Sequence, residues 1–162
     1  MMERMDEEFR AHVQKVDPEM HQIVHRHPPL TLPPPRPPFE ALVRIVAGQQ
    51  LSVKAAATVV SRIEDALDGK ISPQCVRKVG HDGLRAAGLS GAKSRSVLCI
   101  AEFAGTDAIH LQSLLDQPWE EVRPILLSLQ GIGPWSADMY AMLGLGMQDI
   151  FSSGDLGLRV AM

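Results

Sequence analysis

The sequence predicts an all-α fold, and three observations lead to that class. Apolar residues recur at helical spacing through most of the chain. Serine, aspartate or proline precedes many of these stretches, and glycine follows several of them. No stretch of useful length alternates apolar and polar residues with the period of two that indicates a strand. With 162 residues, of which 45% are hydrophobic, the chain is long enough to bury a core.

The first 38 residues are predicted to form two helices and an extended connector. Apolar residues at helical spacing run from residue 6 to residue 26, and Asp17-Pro18 indicates the end of one helix and the start of the next. The segment His27–Pro38 contains seven prolines in twelve residues, which excludes a helix or a central strand. We expect it to wrap the surface, and a polyproline ligand is the alternative. Residues 1–38 are therefore expected to pack on a core domain formed by residues 39–162.

Helix signals continue through this core domain. Leu42, Ile45 and Val46 share one face of a helix that begins at Phe39, and Ser52 is placed to cap the next helix. The predicted helices cover residues 39–47, 52–67, 73–79, 82–87, 90–104, 119–129 and 134–143.

A glycine-rich turn joins the last two of these helices. Its sequence is Leu129-Gln130-Gly131-Ile132-Gly133-Pro134-Trp135-Ser136-Ala137. Glycine can adopt a positive φ, so Gly131 and Gly133 are expected to allow a tight hairpin, and Pro134 suits the first position of the following helix. Free backbone N–H groups and the helix dipole would converge there. The hairpin is therefore predicted to bind an anion such as a phosphate.

Together with two further segments, this hairpin resembles the helix-hairpin-helix DNA glycosylases, and most closely their 3-methyladenine DNA glycosylase II branch. The further segments are Phe39–Ala57, which includes Gly48-Gln49-Gln50-Leu51-Ser52, and Gly88-Leu89-Ser90-Gly91-Ala92-Lys93. The resemblance covers residues 39–162 and implies that fold, with the helix-hairpin-helix at about 119–143. Family members continue with more helices, so a sequence truncated at the C-terminal end is expected. An iron–sulfur cluster in any further segment stays open.

The resemblance implies a monofunctional glycosylase that flips alkylated bases of the 3-methyladenine type out of duplex DNA and excises them in base excision repair. Asp155 matches the catalytic aspartate of the family. A carboxylate under the sugar would stabilise the positive charge that develops when the base leaves. The alternative role for Asp155, after Ser152-Ser153-Gly154, is to cap the next helix, and the two roles can coexist.

Trp135 discriminates between reaction types. Bifunctional members of the family carry a lysine at this position, which attacks the sugar and leads to strand cleavage. An indole has no nucleophilic amine, so no strand-cleaving lyase activity is expected. The ring could instead stack on a cationic base. The alternative is a core tryptophan that packs between helices.

The resemblance also implies which residues touch DNA. Gln50 and Leu51 are expected to fill the gap that a flipped nucleotide leaves, with Gln50 as the plug. The alternative is that Leu51 anchors the turn in the core and the glutamines are merely exposed. The other expected DNA contacts are Gln49, Gly131, Ile132, Gly133, Pro134 and Ser136.

No cofactor is expected to be required. Hairpins of the family often bind a monovalent cation, Na⁺ or K⁺, through backbone oxygens, which would be those of Leu127, Leu129 and Ile132. The six histidines do not indicate a metal site, and Cys75 and Cys99 are too few for a disulfide framework.

The expected partner is double-stranded DNA with damaged bases, bound by a monomer. The net charge of −3 speaks against DNA binding, although Arg77, Lys78, Arg85, Lys93 and Arg95 could form a basic patch. No apolar run is long enough for a membrane, and the acidic amino terminus does not resemble a targeting peptide, so a cytoplasmic, nucleoid-associated location is expected.

Three other functions stay open at this point. The first is a glycosylase for oxidised, deaminated or mismatched bases. The second is a non-catalytic helix-hairpin-helix module that only binds DNA, although such a module would gain nothing from the anionic Asp155. The third is a helical protein-interaction bundle that uses the proline tract.

Overall fold

A computed structural model describes residues 2–28, 34–105, 109–147 and 149–161. These residues form ten helices and no strand, which confirms the all-α prediction. The helices are α1 (Met2–Val16), α2 (Pro18–Arg26), α3 (Pro38–Gly48), α4 (Val53–Ala66), α5 (Pro73–Ala86), α6 (Gly91–Ala104), α7 (Ile109–Gln112), α8 (Trp119–Ser128), α9 (Pro134–Leu143) and α10 (Leu156–Ala161). The chain divides into two compact units, residues 1–34 and 35–162. None of the helices in the described ranges is long and apolar enough to cross a bilayer.

The first unit contains α1 and α2. Asp17 lies between them, and its side chain accepts a hydrogen bond from the backbone N–H of Met20 at 2.9 Å. The predicted break at Asp17-Pro18 is thereby confirmed. Arg10 of α1 donates to the carbonyls of Val24 at 2.7 Å and of His27 at 3.2 Å, which ties the two helices together. Residues 29–33 of the proline-rich connector lie outside the described residues.

The second unit is built around α3. This helix is apolar on nearly every side, a pattern typical of a helix that is surrounded by protein. Leu42, Val43, Val46 and Ala47 are fully buried. Helices α4, α6 and α9 pack against α3, and α5 packs against α6. Hydrogen bonds from Gln49, just after α3, to Gly131 and Ser136 place the carboxyl end of α3 close to the beginning of α9, where the glycine-rich turn is.

Local signals set the ends of these helices, and the predicted cap at Ser52 is confirmed. Ser52 caps α4 and Ser90 caps α6. Each side-chain oxygen accepts a hydrogen bond at 3.3 Å from the backbone N–H of the residue three positions later. Gly105 ends α6 with a φ of 69°. Helix α5 bends at Gly80, where φ is 67°, so its two arms correspond to the predicted helices 73–79 and 82–87. The single turn of α7 was not predicted.

The hairpin between α8 and α9 depends on one glycine with a positive φ. Gly131 has a φ of 84°, and a Cβ added to it would lie 2.0 Å from Oγ of Ser96. Gly133 has a φ of −98° and a ψ of 179°, an extended conformation open to any residue. The expectation of a positive φ is therefore right for Gly131 and wrong for Gly133. Pro134 opens α9, as predicted.

Candidate active site and DNA interface

Asp155 and Trp135 are joined by a hydrogen bond. Trp135 is the second residue of α9, and its indole Nε1 donates to Oδ2 of Asp155 at 2.7 Å. The other carboxylate oxygen, Oδ1, accepts from the backbone N–H of Leu158 at 3.1 Å. Asp155 thus caps α10, which was the alternative role expected for it. The cap leaves Asp155 fixed in place beside the start of α9.

These hydrogen bonds favour the charged form of Asp155. The indole N–H of Trp135 and then the backbone N–H of Leu158 hold the pKa of this carboxyl below its ordinary value of 3.8. Asp155 is therefore an anion at neutral pH. An anion that is fixed before the reaction can stabilise a developing positive charge without reorganisation.

The indole ring of Trp135 packs as expected for the alternative role, a core tryptophan, and its stacking on a base stays a prediction. The ring is partly buried and packs against the hydrophobic core. The N–H at the polar edge of the ring is used in the hydrogen bond to Asp155. The ring therefore acts as a support for the carboxylate. This contact could not be predicted from the sequence, because the two residues are 20 positions apart.

The start of α9 presents free backbone donors at the hairpin. Gly133 is the residue before the helix and provides no side-chain cap, and Pro134 has no N–H. The first N–H groups of a helix have no acceptor within it, so those of Trp135 and Ser136 are available to an anion. Ile132 is buried and anchors the hairpin, and the Ser136 side chain is buried as well. Ser136 could thus contact a phosphate only through its backbone.

Gln49 connects the turn after α3 to this hairpin. Its Nε2 donates to the carbonyl of Gly131 at 2.9 Å and to Oγ of Ser136 at 2.8 Å. The amide donor of Gln49, expected to contact DNA, is therefore used inside the protein. The contact brings two segments together that are more than 80 residues apart in sequence.

The next two residues project from the same turn. Gln50 is exposed and has a φ of 56°, which is unusual for a residue other than glycine. Leu51 is 41% exposed, so it does not anchor the turn in the core. An exposed glutamine and leucine at the tip of a held turn are suited to enter a gap in a base stack.

Three of the five central basic residues donate to backbone carbonyls, and the basic patch stays a prediction. Arg77 donates to the carbonyl of Ala101, Arg85 to that of Leu89, and Lys93 to those of two residues at the end of α3. Only Lys78 and Arg95 of the five are described without such a bond, and both are exposed. The hydrogen bonds of Lys93 to the end of α3 were not predicted, although the segment Gly88–Lys93 was one of the three that carry the family resemblance.

The backbone of the hairpin also bears on the expected cation site. The carbonyl of Leu127 belongs to the last turn of α8 and so has no intrahelical donor. The carbonyl of Leu129 accepts from the N–H of Ile132 at 3.1 Å, which leaves one lone pair. These two carbonyls keep lone pairs that could bind a cation, and the site formed with the carbonyl of Ile132 stays a prediction. The described residues contain no cluster of side chains that could hold a metal ion.

Comparison with solved structures identifies the family. The crystal structure of a DNA-3-methyladenine glycosidase from Bacillus halodurans matches with a TM-score of 0.75 and 31% sequence identity. The match covers 91% of this chain and 68% of that one. The chain belongs to the 3-methyladenine DNA glycosylase family. The resemblance inferred from the hairpin and its two companion segments is thereby confirmed.

Two further comparisons agree with this family. A 3-methyladenine DNA glycosylase from Schizosaccharomyces pombe, solved in complex with abasic DNA, matches with a TM-score of 0.71 and 29% identity over 82% of this chain and 66% of that chain. DNA-3-methyladenine glycosylase 1 of the same yeast is 31% identical over 125 residues, which are 75% of this chain. The chain spans 55% of that relative and 31% of one from Mycobacterium tuberculosis. No protein-family model matches the chain.

Proposed function

We propose that this chain forms the catalytic part of a monofunctional DNA glycosylase, which flips an alkylated base of the 3-methyladenine type out of duplex DNA and hydrolyses its glycosidic bond. One observation carries the proposal. The carboxylate of Asp155 is held ionised by Trp135 at the start of the helix that follows the hairpin. The glycosylases of Bacillus halodurans and S. pombe support the substrate class by their names and shared fold.

The reaction needs little more than this anion. When the base leaves with the electrons of the glycosidic bond, positive charge develops on the deoxyribose, and a nearby carboxylate stabilises it. Water then adds to C1′ and loses its proton to solvent. An alkylated purine already carries a positive charge, so it leaves without being protonated by an acid.

The reaction ends at an abasic site. Trp135 stands where the bifunctional relatives have lysine, and its ring nitrogen donates to Asp155 rather than attacking the sugar. No Schiff base forms with this residue, so the DNA strand stays intact.

The remaining parts of the site hold the DNA. The backbone of Gly131, Gly133 and Trp135 would bind a phosphate, and Gln50 with Leu51 would occupy the vacated space in the stack. A monovalent cation on the hairpin carbonyls would add positive charge beside that phosphate. Because the substrate is DNA, a nucleoid-associated location belongs to the same proposal.

The test compares base release by the parent chain with release by Asp155→Asn. The substrate is duplex DNA treated with a methylating agent, in single-turnover reactions. Loss of the charge is expected to slow release about 100-fold or more, the range seen when one electrostatic group at a reacting centre is removed. Asp149→Asn is the matched control, because Asp149 is an exposed carboxylate shortly before Asp155.

Each outcome decides between the candidate functions. Release by the parent and the control, without strand cleavage before alkali, supports the proposal. Equal release by Asp155→Asn would remove that residue from catalysis. Activity only on oxidised, deaminated or mismatched bases would change the substrate class. No release on any lesion, with abasic DNA still bound, would indicate a non-catalytic module.

A further inference from the structure

The motif Gly88–Lys93 has no role in the proposed reaction, yet its residues are arranged to place one ammonium group. Gly88 has a φ of 104°, and Leu89 is buried. Ser90 caps α6 by accepting from the backbone N–H of Lys93 at 3.3 Å. Lys93 is thereby fixed in the first turn of α6. A cation is unfavourable at this end of a helix, so the needs of α6 do not explain it.

The side chain of Lys93 serves a different helix. Its Nζ donates to the carbonyl of Ala47 at 2.9 Å and to the carbonyl of Gln49 at 2.7 Å. These carbonyls lie at the carboxyl end of α3, where the helix dipole favours a positive charge. The ammonium is partly buried, and this burial lowers the pKa of Lys93. Hydrogen bonds from a charged donor are stronger than neutral ones.

The ammonium adds two hydrogen bonds to a turn whose own backbone bond runs from the N–H of Leu51 to the carbonyl of Gly48 at 3.1 Å. We call residues 48–51 the wedge turn. Within it, Gln50 has a φ of 56°, a conformation that costs free energy in any residue with a side chain. Gln49 is held twice, since Lys93 binds its carbonyl and the hairpin accepts its side-chain amide. The wedge turn is thus fixed relative to both α6 and the hairpin.

We infer that Lys93 is a positioning residue, which binds the carbonyls of Ala47 and Gln49 so that the wedge turn enters the duplex at a fixed distance from the phosphate-binding hairpin. This inference rests on the proposed function of the hairpin and wedge turn. Lys93 itself does not touch DNA. Removal of its charge should therefore loosen the wedge turn and slow base flipping, while the backbone donors of the hairpin still bind phosphate.

The experiment compares Lys93→Met with Arg77→Met in the full chain. Arg77 is a matched control because its Nη1 also caps a helix end, donating to the carbonyls of Ala101 at 2.6 Å and Gly105 at 3.4 Å. It does so at the opposite end of α6, 8 and 12 residues beyond Lys93, or about 12–18 Å at 1.5 Å per residue. Three quantities are measured: hydrogen exchange of the peptide covering residues 46–52, affinity for a duplex with a tetrahydrofuran abasic analogue, and the single-turnover rate of methylated-base release.

We expect exchange at residues 46–52 to rise in Lys93→Met and to stay unchanged in Arg77→Met. The release rate of Lys93→Met should fall about tenfold or more, because the loss of a hydrogen bond from a charged group has an effect of that size. Its affinity for abasic DNA should fall less than about threefold, because a substitution outside the DNA interface has a small effect. Lys93→Arg keeps a charged donor and should recover most of the rate. If Lys93→Met does not fold, Lys93→Gln removes the charge in its place and is held to the same expectations.

The outcomes separate this inference from the proposed function. If the parent chain releases base and Lys93→Met matches Arg77→Met in all three measurements, the positioning role is overturned and the function stands. If the parent releases no base but residues 46–52 exchange faster in Lys93→Met alone, the glycosylase function fails and the role of Lys93 in holding the turn stands. If rate and affinity fall equally, Lys93 is a DNA-binding residue and the inference is wrong.

Discussion

Gly131 and Gly133 differ in what a methyl group would meet, although they stand two residues apart in one hairpin. At Gly131 the added Cβ would lie 2.0 Å from Oγ and 2.7 Å from Cβ of Ser96, and φ is 84°. At Gly133 no atom outside its chain neighbours lies within 4 Å, and the backbone is extended. Gly131→Ala and Gly133→Ala are therefore a matched pair.

Two costs add up for Gly131→Ala. An alanine held at a positive φ costs about 1–2 kcal/mol. The contact with Ser96 forces a rearrangement of a packed helix face, and overpacking of this kind costs about 1–3 kcal/mol. The sum is roughly 2–5 kcal/mol of unfolding free energy. Gly133→Ala has neither cost and restricts the unfolded chain, so we expect a change of about 0.5 kcal/mol or less.

Urea denaturation, monitored by circular dichroism, measures the change in unfolding free energy for both variants. The slope of the unfolding free energy against urea concentration checks that unfolding stays two-state. A second pair isolates the steric part of the cost. In a Ser96→Gly background the contact with residue 131 disappears, so Gly131→Ala should then cost only the part due to φ. Equal stability losses for the two alanine variants would refute the reasoning. So would an undiminished loss in the Ser96→Gly background.

The remaining predictions concern the two buried or half-buried aromatic residues of α9. Trp135→Phe keeps a ring but removes the N–H that favours the charged Asp155, so the pKa of Asp155 should rise towards 3.8 and the acid limb of the release rate should move to higher pH. An NMR titration of the carboxyl carbon of Asp155 checks this pKa. Trp119→Phe is the control, and it should leave the midpoint of the Asp155 titration unchanged. Tyr140 is fully buried, burial raises its pKa, and its hydroxyl meets no partner in the described part of the chain. Tyr140→Phe should therefore leave stability unchanged or increase it by up to about 1 kcal/mol in the same urea assay, and a loss above that amount would indicate a hydrogen bond to the hydroxyl.

Helix boundaries were predictable because they depend on neighbouring residues. Ser52 and Ser90 each bond to an N–H only three positions later, so the signal and its effect lie within one helical turn. The bend of α5 is of the same kind, since Gly80 alone separates its two arms. The φ of Gly133 was mispredicted because a glycine permits a positive φ without requiring one.

The contacts that build the site were not predictable from spacing. Trp135 meets Asp155 across 20 positions, and Gln49 meets Ser136 across 87. These side chains meet because α3 packs against α9 and because the chain after α9 returns to the start of that helix, where Asp155 meets Trp135. The family resemblance indicated which residues matter, but it did not indicate that Gln49 points into the protein and that Trp135 points at the carboxylate.

The distribution of cations bears on how an acidic protein can hold DNA. The chain has a net charge of −3, and three of its central basic residues donate to carbonyls at helix ends: Arg77, Arg85 and Lys93. These hydrogen bonds stabilise helix ends within the fold. The hairpin instead offers backbone N–H groups, which carry no formal charge and release few counterions when they bind. The proposed binding of DNA therefore depends on the shape of the hairpin, and that shape depends on Gly131 and Gln49 rather than on the count of basic residues.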